Sequence, residues 1–268
     1  MKSIPSLAIS SFSLTEEKLE EIGLKLTPGG THISRTIMLK EISSLFASTD
    51  SKYTRDDYRV AIINDNLLSK KTVTTRKETF ERLRSLYLLS AKFPLFKIFR
   101  YLADYDPVSL PLLAFLIAWS RDPLLRSSTA PVYLANVGSI VNKEDLKEEI
   151  IQQYQTRYSK VSIETIAKNA ASSWTQSGHL VGRSKKTRQS VVASPSVLSL
   201  AFYIGHLCGL VGEYLLKSPW VQLLDLSPNQ ARSQATELHR QRLVDFRAIG
   251  SVIDITFPKL DRIVGWSA

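Results

Sequence analysis

Basic side chains cluster in the second half of the sequence, where their most direct chemistry is the binding of phosphate groups. They lie in the polar stretch RSKKTRQ, which separates two short extended segments, HLVG and SVVA. This pattern predicts a β-hairpin with a cationic connection. Long cations of this kind suit the phosphates of a nucleic-acid backbone. The candidate contacts fall within six residues and are Arg183, Lys185, Lys186 and Arg188.

A helix is predicted directly before this hairpin, at 162–176, and its two faces differ in composition. With residues placed about 100° apart around the axis, Ile163, Ile166 and Trp174 share an apolar face. An opposite face of short polar groups and one lysine can enter a DNA groove, where base edges offer hydrogen bonds. An ordinary surface helix has the same division, so the adjoining hairpin is what favours DNA binding. The candidate groove residues are Thr165, Lys168, Asn169 and Ser172.

A second basic stretch, SKKTVTTRK at 69–77, opens another predicted helix. Hydroxyl and cationic side chains at a helix start can surround a phosphate together with the backbone N–H groups there. The alternative is a capped helix with a solvated charged face, on which Arg82 pairs with Glu78. The candidate DNA contacts in this stretch and the helix that follows are Lys70, Lys71, Thr74, Thr75, Arg76, Lys77 and Arg84.

Residue types that support catalysis or metal binding form no recognisable pattern. The 4 histidines are too far apart for local metal-ligand spacing, and HExxH, GxSxG, GxGxxG and P-loop motifs are missing from the sequence. His206 and Cys208 are two residues apart on a predicted helix, so they point in different directions. We therefore expect a protein that is not an enzyme, with no catalytic residue, metal or cofactor.

Composition and charge support a folded, cationic protein. The 268 residues include 35 basic and 25 acidic side chains, a formal charge of +10, and 44% are apolar, which excludes a disordered chain. Two blocks carry the excess charge: 52–100 has twelve basic and five acidic residues, and 157–188 has seven and one. Such focused charge suggests a phosphate backbone or an acidic membrane surface as partner. A solvated lysine-rich surface is the alternative.

The longest apolar stretch, VLSLAFYIGHLCGLVGEYLL at 197–216, nearly reaches the length of a membrane-spanning helix. His206 and Glu213 interrupt it, so a buried helix is predicted and no membrane partner is expected. The single cysteine, Cys208, allows no internal disulfide, and the N-terminal residues lack a continuous apolar signal-peptide core. The expected location is the cytoplasm.

Helix patterns dominate the chain and predict a mainly α, multi-helix protein with winged helix-turn-helix-like modules, a small β-hairpin and C-terminal strands. Helices are expected at about 35–46 and 74–91, and the alternation in DFRAIGSVIDITFP predicts the closing strands. Residues 143–194 follow the order helix, short turn, helix and basic hairpin. Three parts are predicted: an N-terminal helical, helix-turn-helix-like domain (1–100), a helical connector (101–142), and a C-terminal winged-helix-like domain with appended helices and closing strands (143–268).

Three segments carry a family resemblance: NDNLLSKKTVTTRKETFERLRSLY at 64–87, LPLLAFLIAWSRDPLLRS at 110–127 and SIETIAKNAASSWTQSGHL at 162–180. They resemble the BrxA family, the small helical component of bacteriophage-exclusion (BREX) defence systems. The resemblance implies a non-enzymatic, mainly α-helical protein that binds double-stranded DNA. It also implies protein partners from the same system, among them a methyltransferase and ATPases, and DNA contacts at 70–77 and 183–188.

Two other functions use the same features. An autonomous winged-helix transcriptional regulator would read two half-sites as a symmetric dimer. A protein-binding scaffold subunit of a defence complex would use the basic blocks to recruit an acidic partner. Salt-dependent binding to random duplex separates a scaffold from a DNA binder, and a high ratio of specific to non-specific affinity favours the regulator. The sequence leaves open the DNA sequence preference, the oligomeric state, the defence partner, the step of phage exclusion and the role of 1–30.

Overall fold

Helices joined by tight turns form most of the chain, which confirms the predicted mainly α fold. The structure is a computed structural model that describes residues 4–7, 12, 14–250 and 252–265. The first half contains α1 (Glu16–Ile22), α2 (Leu39–Ala47), α3 (Arg55–Arg59), α4 (Val73–Tyr87), α5 (Pro94–Tyr105), α6 (Leu110–Arg121), α7 (Pro123–Arg126) and α8 (Thr129–Leu134).

The second half adds two small antiparallel sheets to the helices. The first sheet has the strand order β1-β3-β2, formed by β1 (Ile140–Val141), β2 (Leu180–Val181) and β3 (Lys186–Arg188). The second pairs β4 (Asp245–Ile249) with β5 (Val252–Thr256), which confirms the predicted closing strands. The helices are α9 (Lys143–Tyr154), α10 (Lys160–Gln176), α11 (Pro195–Leu207), α12 (Glu213–Leu216), α13 (Pro219–Gln222), α14 (Pro228–Arg240) and α15 (Pro258–Val264).

One buried cluster of apolar side chains draws on all three predicted parts of the chain. Helix α6 packs against α4, α5 and α11, and its residues from Leu113 to Trp119 are fully buried. A helix that is apolar on every side is stable in water only when it is covered on every side. The Trp119 indole donates to Thr129 Oγ1 over 2.9 Å, so its polar atom is satisfied inside the core. Contacts between the three parts therefore hold the described chain together.

The longest apolar stretch is divided by a turn. Helix α11 ends at Leu207, and Gly209 and Gly212 follow with φ values of +82° and +55°, which favour glycine. Among the described residues, no single helix combines the length and the apolar composition needed to cross a membrane. Helical segments 107–121 and 123–134 meet this length and composition only when they are taken together, and the pair is bent by 103° at the break between them.

Left-handed residues shift two helix boundaries from the predicted positions. Helix α2 begins at Leu39 rather than near residue 35, because Met38 has a φ of +52°. Helix α4 ends at Tyr87 rather than near residue 91, because Leu88 and Leu89 both have positive φ. This conformation is unfavourable for leucine. Both leucine side chains are buried, so core packing compensates for the backbone cost.

The predicted hairpin forms with a different second strand. The SVVA segment is not a strand, whereas Lys186–Arg188, predicted as part of the connection, forms β3 between β1 and β2. The turn before it is tight, since a Cβ on Gly182 would lie 2.2 Å from the Lys185 carbonyl oxygen, and Gly182 has a φ of +103°. The exposed tip of the hairpin is consequently only 182–185, shorter than the sequence predicts.

Candidate nucleic-acid interface

Helix α10 docks on the body of the protein through the predicted apolar face. Ser159 caps the helix by accepting a hydrogen bond from the Ser162 backbone N–H at 3.2 Å. Ile166 and Trp174 are buried, and the Trp174 indole donates to Ser128 Oγ over 2.8 Å. The predicted orientation of the apolar face is therefore confirmed, and the opposite face is left for solvent or for neighbouring segments.

The polar face of α10 is accessible in its first half. Lys160 and Lys168 are exposed, and Val161 is 77% exposed. Thr165 is half-buried and donates its hydroxyl hydrogen to the Val161 carbonyl oxygen at 3.0 Å, so the hydroxyl keeps only acceptor capacity for a ligand. A groove-reading helix of a helix-turn-helix protein contacts base edges with its N-terminal residues. The exposed half of α10 is the half that such docking uses.

The second half of the same face is covered by a neighbouring segment, which we call the bridging segment (31–41). Asn169 Nδ2 donates to the His32 carbonyl oxygen over 2.9 Å, and Gln176 Oε1 accepts from the Leu39 backbone N–H. Ser172 is half-buried and accepts a hydrogen bond from Gln176. These contacts correct the predicted role of Asn169, because its amide holds the bridging segment rather than facing a groove.

The hairpin presents fewer cations than predicted. Arg183 and Lys185 at its tip are exposed. Lys186 is half-buried, its ammonium donates to the Gly182 carbonyl oxygen over 2.7 Å, and burial lowers its pKa. Arg188 is only 3% exposed and its guanidinium is bound by the Val132 carbonyl oxygen and the Asp225 carboxylate. We therefore remove Arg188 from the predicted DNA contacts, because an alternating strand position turns its side chain into the protein.

In the first basic block, the exposed candidate residues lie at the start of α4. Lys71, Thr74 and Lys77 are exposed. Thr75 is half-buried, and its hydroxyl is 2.9 Å from that of Thr72, the residue that caps the helix. These four residues and the first turn of α4 remain available for a phosphate, as the sequence predicts.

Three other cations of this block are held by protein groups. Lys70 Nζ lies 2.8 Å from Glu41 Oε1. Arg76 donates to the Ile63 carbonyl oxygen at 3.2 Å, which corrects its predicted role, because this bond anchors the turn that precedes α4. The Arg84 guanidinium is bound by the Glu81 carboxylate on its own helix, with Nε at 2.9 Å from Oε2. The first block therefore offers less free charge than its composition suggests.

The bridging segment lies between the two basic blocks. At one end it contacts α10 through His32, and at the other Glu41 pairs with Lys70. Arg35, between these points, lies 3.7 Å from Glu78 on α4. The structure therefore brings α4, the turn before it and the polar face of α10 into contact with one short segment. Six exposed cations that form no ion pair within the described part of the chain lie at the start of α4, on α10 and at the hairpin tip: Lys71, Lys77, Lys160, Lys168, Arg183 and Lys185.

A buried network fixes the bridging segment, and nothing in the sequence predicts it. His32 Nδ1 lies 2.9 Å from Asp122 Oδ2, and His32 Nε2 lies 2.8 Å from Ser173 Oγ. Burial alone would raise the pKa of the Asp122 carboxyl, but the charge of His32 and the hydrogen bonds that Asp122 accepts hold this pKa below its usual value. The three residues are far apart along the chain, so no local spacing could have indicated their contact.

This network has the residue types of a serine-hydrolase triad, but a substrate cannot reach it from solvent. Asp122 is 1% exposed, and His32 and Ser173 are fully buried. Ser173 Oγ also donates to the Asn169 carbonyl oxygen and accepts from the Ile37 backbone N–H. A substrate carbonyl has no room beside a hydroxyl that is enclosed in this way. The network therefore acts as an anchor that positions the bridging segment on α10.

Among the described residues, no three His, Cys, Asp or Glu side chains gather as a metal site would require. Burial raises the pKa of the Cys208 thiol well above its usual range, which disfavours the reactive thiolate. The accessible chemistry of this surface is thus that of cations, hydroxyls and backbone N–H groups. Comparison with protein-family models and with curated proteins gave no match for this chain, so the interpretation of the surface depends on its residues and their geometry.

Proposed function

We propose that this chain is a non-enzymatic protein that binds double-stranded DNA, mainly through the phosphate backbone. The observation that carries the proposal is the succession of β1, α9, α10, β2 and β3, in which a helix with an exposed N-terminal half is followed by a hairpin with a cationic tip. This is the order of a winged helix-turn-helix, whose second helix lies in the major groove. Lys168 and the hairpin tip would then face the same duplex.

The free charge favours phosphates over base edges as the main ligands. Five of the six exposed cations named above are lysines and the sixth is Arg183; Arg157, which precedes α10, is also exposed and forms no ion pair within the described chain. Lysine recognises phosphate as a point charge, whereas specific guanine contacts are most often made by bidentate arginine. We therefore propose binding that is nearly sequence-tolerant and strongly weakened by salt.

The cellular role that we propose is phage exclusion. Its support is the resemblance of 64–87, 110–127 and 162–180 to BrxA proteins. Under this proposal the protein works in the cytoplasm beside other phage-exclusion proteins, such as a methyltransferase and ATPases. A DNA-binding subunit without chemistry of its own would bring these partners to a duplex.

A protein-binding scaffold is the second candidate, favoured by exposed apolar side chains at the C-terminal hairpin. Ile249 and Val252 flank the turn between β4 and β5 and are 83% and 71% exposed. Tyr214 on α12, which contacts β5, is 71% exposed. Exposed apolar groups that gather in one region often mark a protein interface. This surface is separate from the basic blocks, so a scaffold function and DNA binding can be tested independently.

Removing the two cations of the hairpin tip tests the proposal. We expect Arg183→Ala with Lys185→Ala to weaken binding to every duplex by a similar factor and to make the slope of log K against log salt shallower by about 2. The stability of the fold should change by less than about 0.5 kcal/mol, because both side chains are exposed and unpaired. Fluorescence anisotropy with several duplexes at stepped salt measures both effects.

A matched control removes two exposed cations elsewhere. Lys259→Ala with Arg262→Ala on α15 changes the net charge equally and should leave duplex affinity close to wild type. If the α15 variant loses as much affinity as the hairpin variant, binding follows net charge and not the proposed surface. If the hairpin variant loses affinity for one sequence only, the tip reads bases and its assignment to phosphates is wrong.

A further inference from the structure

A cavity of about 430 Å³ lies away from α10 and its hairpin. Its lining comes from the residue after Leu24, the start of α3, the second half of α4, the loop at 88–93 and the end of α6, and it contains no acidic residue. Ser85 and Ser90 also line it. Positive charge dominates the lining, which includes Lys25, Arg55, Arg84, Lys92 and Arg121.

Arg121 is the most enclosed of these cations. Its Nε donates to the Ser85 carbonyl oxygen over 2.9 Å, and its Nη1 donates to the Gly23 carbonyl oxygen. No carboxylate lies within ion-pair distance of this guanidinium among the described residues, and Nη2 has no protein acceptor there. Burial lowers the pKa of Arg121 to about 10, and the charge of Arg84 lowers it as well, while the charges of Asp122 and Glu20 oppose this shift. A half-buried guanidinium is thus held in place by carbonyl groups, and the carboxylates of Asp122 and Glu20 act on its charge only from beyond ion-pair distance.

The other cations of the cavity are only partly compensated. Arg84 pairs with Glu81, whose side chain is half exposed at 53%. Burial lowers the pKa of Lys25; Asp122 opposes this shift, while Arg121 adds to it. Arg55 and Lys92 are exposed and form no ion pair within the described chain. Because like charges held together cost free energy that an anion would recover, this cluster is electrostatically prepared for a ligand.

We propose that this cavity binds a compact ligand with at least two linked phosphate groups, such as a diphosphate or the phosphate chain of a nucleotide. Guanidinium N–H groups pair with phosphate oxygens. Among the described residues, Arg121 keeps Nη2 without an acceptor, and Arg84 keeps Nη1, because Glu81 already binds Nε and Nη2 of Arg84. Lys25 and Lys92 supply single donors for further oxygens. One phosphate would leave part of this donor set unused, which is why the site favours a linked pair.

This site lies apart from the proposed DNA surface, and of the DNA contacts that the sequence predicts it shares only Arg84, which Glu81 binds. Its lining includes no residue of α10, of the hairpin or of the first turn of α4. A DNA duplex also carries phosphates, but it is too wide to enter a cavity of this size. A small ligand with two linked phosphates can enter it. A competition experiment, in which duplex DNA is added to the protein with pyrophosphate bound, therefore tells the two kinds of ligand apart.

Calorimetric titration of the full chain with pyrophosphate, ATP and orthophosphate tests the proposal. We expect saturable binding of pyrophosphate at one site, similar binding of ATP, and binding of orthophosphate that is weaker by about tenfold or more, since charge-assisted hydrogen bonds are lost. Equal affinity for orthophosphate would overturn the claim of linked phosphates. Binding of ATP without pyrophosphate would show that the nucleoside, rather than the phosphate chain, is recognised.

Variants at the rim locate the site without disturbing the half-buried guanidinium. Arg55→Ala with Lys92→Ala should weaken pyrophosphate binding by about tenfold or more, with an unchanged melting temperature. Arg183→Ala with Lys185→Ala, an equal loss of charge at the hairpin, should not weaken it. The proposal is overturned if pyrophosphate does not bind, or if both variants weaken pyrophosphate binding equally. It is also overturned if the rim variant no longer binds duplex DNA and duplex DNA displaces pyrophosphate from the wild-type protein. Pyrophosphate binding that persists when no duplex binds would instead reject the proposed DNA function alone.

Discussion

Trp174→Ala is expected to lower the free energy of unfolding by about 3–5 kcal/mol. The Trp174 side chain is 1% exposed, its ring centroid lies 4.6 Å from that of Phe115, and its indole N–H donates to Ser128 Oγ. Truncation therefore leaves a large cavity and removes one of the two hydrogen bonds of the Ser128 hydroxyl, which still donates to the Leu125 carbonyl oxygen. Urea unfolding followed by circular dichroism measures the loss.

Lys168→Ala on the same helix is the matched control. Lys168 is exposed and unpaired in the described chain, so stability should change by less than about 0.5 kcal/mol. Duplex binding should weaken by about 1–3 kcal/mol if Lys168 reaches a base edge, and by less if it meets a phosphate. A Trp174→Ala protein that stays fully stable but no longer binds DNA would mean that the two faces of α10 are assigned the wrong way round.

Arg188→Ala should be nearly as damaging to the fold, by about 3–5 kcal/mol. The guanidinium is bound by the Val132 carbonyl oxygen and by Asp225, whose carboxylate also accepts from the Val191 backbone N–H. Removing Arg188 leaves Asp225 charged and largely buried without its partner. Chemical denaturation gives the loss, and the Arg188→Ala, Asp225→Ala double variant should lose less than the sum of the single variants.

Arg183→Ala supplies the comparison within the same hairpin. Arg183 is exposed at the tip, so its loss should weaken duplex binding and leave the fold intact. Two arginines that are five positions apart in the chain are thus expected to have different roles: Arg188 stabilises the fold, and Arg183 binds DNA. If Arg188→Ala remains stable and loses only DNA binding, Arg188 belongs to the DNA surface as the sequence predicts, and its removal from that surface is wrong.

The residues of α10 illustrate how much of the candidate site the sequence could predict. Helical periodicity identifies the buried face, including Ile163, Ile166 and Trp174, because that face depends only on spacing along one helix. The same periodicity cannot tell whether the opposite face meets solvent or another segment. Asn169 lies on the polar face, yet it contacts His32, a residue more than one hundred positions earlier.

Long-range contacts account for the other differences. The sequence marks Lys186 and Arg188 as loop residues because they are charged, but β1, remote in the chain, recruits them into the middle of a sheet. The early end of α4 has a similar origin. Leu88 and Leu89 are ordinary helix formers whose left-handed backbone is maintained by burial against distant residues. Composition and local pattern predict the helices; tertiary packing decides where they stop.

Duplex affinity measured against salt concentration tests the central proposal most directly. With several duplexes of equal length and unrelated sequence, we expect all affinities to fall together as salt rises, with a slope of log K against log salt of about −5 for roughly six neutralised phosphates. The Arg183→Ala, Lys185→Ala variant should have a shallower slope at unchanged stability. A salt-independent affinity, or no binding to any duplex at low salt, would contradict the assignment of this surface to DNA.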